Sequence, residues 1–183
     1  MEFTLFYQGV LSTKNKRRIV VVNDLRREFH NQLKMLLKLP PLVDHPDWFR
    51  EPFPKQLHKE FNNLNFVCLV SNKLKMYVDL EMTLLAQYKN RNFKDIDNKV
   101  KIIGDGLQIP NQKSHIPIDY KPAKEENPLI CLLSDDRLIY KLKVDTDYIL
   151  NEKAFRERDE MICLIKVKIK GNKHNDEFKD LMV

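Results

Sequence analysis

The sequence predicts an α+β protein: one domain over residues 1–183, with a mixed or antiparallel β-sheet, two main α-helices and loop insertions. Three observations carry this prediction. Apolar and polar residues alternate over 75–87, 137–144 and 161–169, the period of strands that bury one face. Apolar residues recur at helical spacing over 25–37 and again over 97–107. The chain has 183 residues, 43% of them hydrophobic, enough for one sizeable core, and it contains no internal repeat or low-complexity tract.

The elements follow in the order β-β-α, insertion, β-β-α, loop, β-β. Residues 3–11 read as a strand, and 12–18 as a basic loop carrying Lys14, Lys16, Arg17 and Arg18. The β-branched run 19–22 reads as a short strand. Asn23 or Asp24 then caps a helix to about Leu39, with Leu25, Phe29, Leu33, Leu36 and Leu37 on its apolar stripe. Pro40-Pro41 ends it. Residues 40–65 look like an extra loop that packs its own aromatics, Trp48, Phe49 and Phe53, with a short helix over 55–63. Trp48 reads as a local plug, the alternative being a platform for a base. Residues 66–71 are a buried strand. In 75–87 Met76, Val78, Leu80, Met82 and Leu84 share one face, and Glu81 points to solvent. The helix over 97–107 turns Val100, Ile103 and Leu107 to the core. Residues 107–128, with Pro110, Pro117, Pro122 and Pro128, look like an insertion or a mobile loop. An apolar run, 129–133, precedes Asp135-Asp136 and the alternating strand 137–144. Residues 145–160 are charged turns, 161–169 the last strand, and 171–183 a frayed tail or short helix.

Composition narrows the function classes. Cys68, Cys131 and Cys163 each sit inside an apolar run with no CxxC pair, the pattern of buried, reduced thiols in a cytoplasmic protein. The five histidines never join a cysteine at zinc-ligand spacing. No apolar run reaches membrane-span length, and no signal-peptide segment opens the chain. Only four glycines occur, and no P-loop or GxGxxG pattern, which disfavours a nucleotide cofactor. The net charge is +6. The stretch 14–38 alone holds eight Lys/Arg against two acids, a surplus equal to that of the whole chain. A polyanion partner suits this balance: the loop cations Lys14, Lys16, Arg17 and Arg18 are candidate phosphate contacts, while Arg26, Arg27, Lys34 and Lys38 read as a solvated helix face.

The stretch 91–107 carries the chemistry. Asp95 and Asp97 lie one residue apart where a strand gives way to a helix, and Lys101 and Asp105 follow Asp97 by one and two helical turns. At 100° per residue, Asp97, Lys101 and Asp105 fall within about 80° of one another. Asp135-Asp136 forms a second acidic pair at a strand start. Carboxylates brought to one point repel, and a hard cation such as Mg²⁺, or Mn²⁺ in its place, relieves the repulsion. Such a centre activates water for attack on a phosphodiester. Asp95, Asp97 and Asp136 are the candidate metal ligands, Asp135 a candidate fourth, and Lys101 a candidate catalytic cation beside the scissile phosphate. Asp105 would orient Lys101 or cap the helix packing. On spacing alone, a metal site and two solvated turns with capping aspartates account for these residues equally well.

The pattern Asp95-x-Asp97-Asn98-x-x-Lys101-x-x-x-Asp105-x-Leu107, with a later Asp135-Asp136 opening a strand, resembles the RusA family of Holliday junction resolvases. The resemblance implies a RusA-like fold and a homodimer with two acidic clefts. It also implies Mg²⁺-dependent nicking of opposed strands of a four-way DNA junction. By it, Asp95, Asp97 and Asp136 bind metal and Lys101 is catalytic. The chain departs from the family's pattern in three places. Residues 108–134 separate the helix from Asp135-Asp136, the stretch 40–65 is extra, and the glycine-and-lysine loop that some members carry after the acidic pair is missing. A non-catalytic nucleic-acid-binding module of the same fold is the alternative, and a protein-interaction scaffold a more distant one.

Overall fold

The alternation over 76–87 becomes β4 (Met76–Gln87), the strand on which the larger sheet is built. Met76, Val78, Leu80, Met82, Leu84 and Ala86 are all buried, while Glu81 is exposed as the alternation requires. In this computed structural model the described residues are 1–11, 15–40, 42–55, 57–61, 63–88, 95–117, 119–157 and 159–171, without the side chains of Asn15, Lys16, Trp48, Lys124 and Glu152. The expectations for Lys14, for the side chains of Lys16 and Trp48, and for the tail beyond 171 lie outside that set.

Two mixed sheets and two helices make up the described fold. β4 pairs antiparallel with β7 (Glu160–Gly171), and β7 with β1 (Glu2–Val10). On its other side β4 pairs parallel with β6 (Ile139–Ile149), giving the order β1-β7-β4-β6. The smaller sheet pairs β2 (His58–Phe61) antiparallel with β3 (Leu64–Val70), and β3 parallel with β5 (Leu129–Leu133). β5 is buried along its whole length, as an unbroken apolar run in a parallel pair requires. Cys68 and Cys131 are register partners on β3 and β5, yet all three cysteines are free and buried. Burial pushes each thiol up to about 12. α1 (Asn15–Leu36) and α2 (Ile96–Leu107) pack on each other, and α1 also lies against β5 and β1. The α+β class with two helices is therefore what the alternation and the helical spacing predicted, with the sheet divided in two.

Two predicted elements are replaced and two bounds move: 145–149, expected as turns, continue β6, and Asn23 and Asp24, expected to cap the helix, lie inside α1. Residues 19–22 are not a strand but the second turn of α1. Val21 and Val22 fall on the stripe that continues through Leu25, Phe29 and Leu33, and all five are buried. Helix propensity costs a β-branched residue only about half a kcal/mol, whereas burying a valine returns about 1.5 kcal/mol or more. The expected helix over 55–63 is replaced, among its described residues, by β2 (58–61), which pairs back on β3 beyond Asn63, whose φ of 62° suits asparagine.

The described residues of 108–128 are tied to α1 at three points. Asn23 Nδ2 donates to the His115 carbonyl at 3.0 Å, Arg27 pairs with Glu126 at 2.6 Å, and His30 reaches the Glu125 carbonyl at 3.0 Å. The polar residues of α1 thus hold this segment against the core.

Candidate functional site

α2 begins at Asp95, whose φ of 69° and ψ of 40° lie in the left-handed region that aspartate tolerates better than most residues. Its carbonyl accepts the first helical hydrogen bond from the Lys99 amide, at 3.2 Å. Its carboxylate does not cap the backbone; Oδ1 instead accepts from Asn98 Nδ2 at 2.7 Å. Asp97 stands exposed in the first turn, where the helix dipole favours an anion. Lys101, one turn on, is exposed as well. Behind this surface Ile102, Ile103 and Leu107 are fully buried, and Ile96 and Val100 pack partly against the core. The amphipathic helix therefore presents Asp95, Asp97 and Lys101 to solvent near its N-terminus.

Asp105 has different partners from those the spacing suggested. Its Oδ2 takes Arg18 Nη2 at 2.6 Å and its Oδ1 takes Gln108 Nε2 at 3.2 Å. Arg18, a candidate phosphate contact, is thereby committed to an ion pair inside the chain. Arg17 is exposed in the first turn of α1, on a helix rather than a loop.

The second acidic pair lies at the other end of α2. Gln108 bridges to Leu133 at the end of β5, and its Oε1 accepts from the Asp136 amide at 3.1 Å. From Asp97 to Gln108 the chain rises about 16 Å at 1.5 Å per residue. Asp136 is exposed beside the Gln108 end, and Asp95 and Asp97 stand at the start of α2. The Asp135 carboxylate is engaged by Arg137: Oδ1 accepts from its amide and Nε at 3.0 and 2.9 Å, Oδ2 from its Nη2 at 2.8 Å. These bonds hold the Asp135 carboxyl well below the usual carboxylate range. Among the described residues no group of three or more His, Cys, Asp or Glu side chains is placed to hold a metal ion. The described residues thus place Asp95 and Asp97 at the N-terminal end of α2 and Asp135 and Asp136 beside its C-terminal end. The physical reason is the segment 108–128, which delays the acidic pair until β5 has run back to the C-terminal end of α2.

Three features had little or no signature in the sequence. Arg26 is 2% exposed and donates to the carbonyls of Asp105 at 2.9 Å and Gln108 at 3.0 Å, closing the C-terminus of α2 with a cation. Its position on the Val22–Phe29 stripe was the available signal. Gln108 is a lone buried amide that no pattern marks. Beside Asp135 a cavity of about 400 Å³ is lined by Lys55, His58, Lys59, Lys73, Asp135 and Arg137. These residues come from separate loops and strands, so only folding collects them.

In comparisons with protein-family models, curated proteins and solved structures, nothing matches this chain. No helix among the described residues is long and apolar enough to cross a membrane.

Proposed function

We propose that the chain is a Mg²⁺-dependent, structure-selective endonuclease that cuts branched DNA such as a four-way junction. The carrying observation is the display of Asp95, Asp97 and Lys101 on the exposed first turns of α2, with Asn98 holding the Asp95 carboxylate. Two carboxylates suit Mg²⁺, which binds oxygen, keeps several waters and is commonly held by one or two carboxylates plus substrate phosphate. Bound there, the ion would polarise a phosphodiester and lower the pKa of a water. Asp95 and Asp97 would hold it, and Lys101 would offset charge on the phosphate being cut. Arg17 and the cavity lysines Lys55, Lys59 and Lys73 would supply sequence-independent phosphate contacts, in keeping with a net charge of +6. A four-way junction presents two opposed strands, and two copies of the chain would cut one each. The supporting experiment is nicking of a synthetic four-way junction with Mg²⁺ by the wild type and its reduction of at least about 100-fold in Asp97→Asn. Absence of cleavage of junction, flap and plain duplex under every divalent ion would refute the proposal.

The basic cavity, together with the separation of the acidic pairs, favours a second reading, a non-catalytic nucleic-acid-binding module. That module would bind DNA with a steep salt dependence, lose affinity when Lys55, Lys59 and Lys73 become alanine, and be indifferent to Asp95→Asn and Asp97→Asn.

A further inference from the structure

β6 is the edge of the larger sheet. It pairs with β4 on one side, and among the described residues no strand lies on the other. It runs Ile139-Tyr-Lys-Leu-Lys-Val-Asp-Thr-Asp-Tyr-Ile149 and contains no proline. An edge this long normally carries a device against association, because its unpaired amides and carbonyls are a template for another strand. Here the sequence is arranged about Val144 so that each residue has a counterpart at the mirror position. Ile139 corresponds to Ile149, Tyr140 to Tyr148, Lys141 to Asp147, Leu142 to Thr146 and Lys143 to Asp145.

We propose that β6 is a self-recognition edge: two copies of the chain join antiparallel through β6, about a two-fold axis at Val144, merging their four-stranded sheets into one. In that register each Lys141 faces a partner's Asp147 and each Lys143 a partner's Asp145, so the charge pairs form on both sides of the axis. The faces agree as well. Lys141, Lys143, Asp145 and Asp147 lie beside Asp79, Glu81, Thr83 and Leu85 of β4, on the outer side of the sheet. Leu142, Val144, Thr146 and Tyr148 lie beside Leu80, Met82, Leu84 and Ala86, on the core side. Leu142, 45% exposed, would gain cover from the partner's Thr146, while Tyr140, at the bulge between Ile139 and Lys141, stays packed on Tyr77.

Other registers are penalised. A slip by one residue sets charged positions against the core-side face. A slip by two puts Lys143 against its own copy, or Asp145 against its own copy, at the axis. Parallel pairing stacks every lysine on lysine and every aspartate on aspartate. Within one protomer Lys143 Nζ lies 2.7 Å from Asp145 Oδ2, with both side chains more than half exposed. An exposed pair of this kind is worth little, so exchanging it for the same pair across the axis is not opposed.

The inference stands without the nuclease reading, and it adds a geometry to that reading. In this register a partner's Ile139, just after its Asp136, lies beside Ile149. Ile149 is opposite Gln87, the end of β4 from which the chain runs on to Asp95. The strand end that leads on to Asp95 and the strand start that follows the partner's Asp136 would then lie side by side.

Sedimentation of the full-length chain tests the proposal. The wild type is expected to be a dimer. Lys141→Asp/Lys143→Asp and Asp145→Lys/Asp147→Lys should each weaken dimerisation by roughly 100-fold, since each turns every charge pair into a like pair. Mixed one to one, the two variants should form a heterodimer, in which all the charge pairs are restored. The variant carrying all four exchanges should dimerise with itself again. Circular dichroism confirms that each variant is folded; should one not be, Val144→Cys supplies the answer, because oxidation should link it to its own copy. A monomeric wild type, a dimer indifferent to the charge reversals, folded variants that do not recombine, or no disulfide at Val144→Cys would overturn the proposal.

Discussion

Gly104 and Gly106 sit two residues apart on α2, yet an added methyl group meets different surroundings at each. A Cβ on Gly106 would lie 2.7 Å from Leu25 Cβ and 3.3 Å from Leu25 Cδ1, whereas a Cβ on Gly104 meets nothing within 4 Å. Carbon atoms pack best at about 3.5–4.0 Å, so Gly106→Ala must push α2 from α1 by close to 1 Å. Leu25 is fully buried, which leaves no solvent to move into. Overpacking of this kind costs about 1–3 kcal/mol, and the better helix propensity of alanine returns up to about 1 kcal/mol. Gly104→Ala collects the propensity gain alone. The two variants should therefore differ by about 2 kcal/mol, with Gly106→Ala below the wild type and Gly104→Ala at or above it. Urea denaturation reads this as a change in midpoint with an unchanged slope, and thermal unfolding as a separation of roughly 4–8 °C for a chain of this size. Equal stability of the two variants within about 0.5 kcal/mol would refute the close approach of α1 and α2 at this glycine.

Further outcomes follow from the same contacts. Arg26→Met should destabilise the fold by about 3–5 kcal/mol, because the carbonyls of Asp105 and Gln108 lose a buried charged donor; Arg27→Met should cost less, about 1–3 kcal/mol in urea denaturation, because Arg27 is partly exposed but its partner Glu126 is buried and would lose its cation. His30 is buried, accepts the Ile130 amide at Nδ1 at 2.9 Å, and so donates from Nε2 to the Glu125 carbonyl; burial lowers its pKa below the ordinary value. Below about pH 6.5 the unfolded chain then binds more protons than the folded one, so the His30 contribution to stability is complete above that pH and is lost as pH falls towards the folded value. Stability measured from pH 7 to pH 5 should fall more steeply for the wild type than for His30→Gln; parallel curves would exclude the neutral buried ring. For the nuclease reading combined with the β6 dimer, mixing inactive Asp97→Asn with inactive Asp136→Asn should restore nicking, since one site of each mixed dimer holds both aspartates. No recovery in a mixture shown to contain mixed dimers would place both acids in one protomer's site.

How much of this was legible beforehand depended on the range of the interactions. The strands β4 and β7 and the buried β3 and β5 were readable, because a period of two or an unbroken apolar run is a local record of which face is covered. The exposed face of Asp97 and Lys101 was readable for the same reason, since helical spacing is a property of neighbours in sequence. Charge mirrored about Val144 is also written in the local sequence, but it acquires meaning only once β6 is known to be an edge. Residues 19–22 misled because β-branched propensity is a weak local preference, overruled when the stripe from Val21 to Leu33 found a surface to bury against. Arg18 and Asp105 meet across two helices. Arg26 is enclosed by chain far along the sequence. The place of Asp136 depended on how far the segment 108–128 carries the chain before β5 returns it to Gln108. Periodicity thus set the elements and their faces, whereas the partner of each charge was settled by contacts between distant segments, which no local pattern encodes.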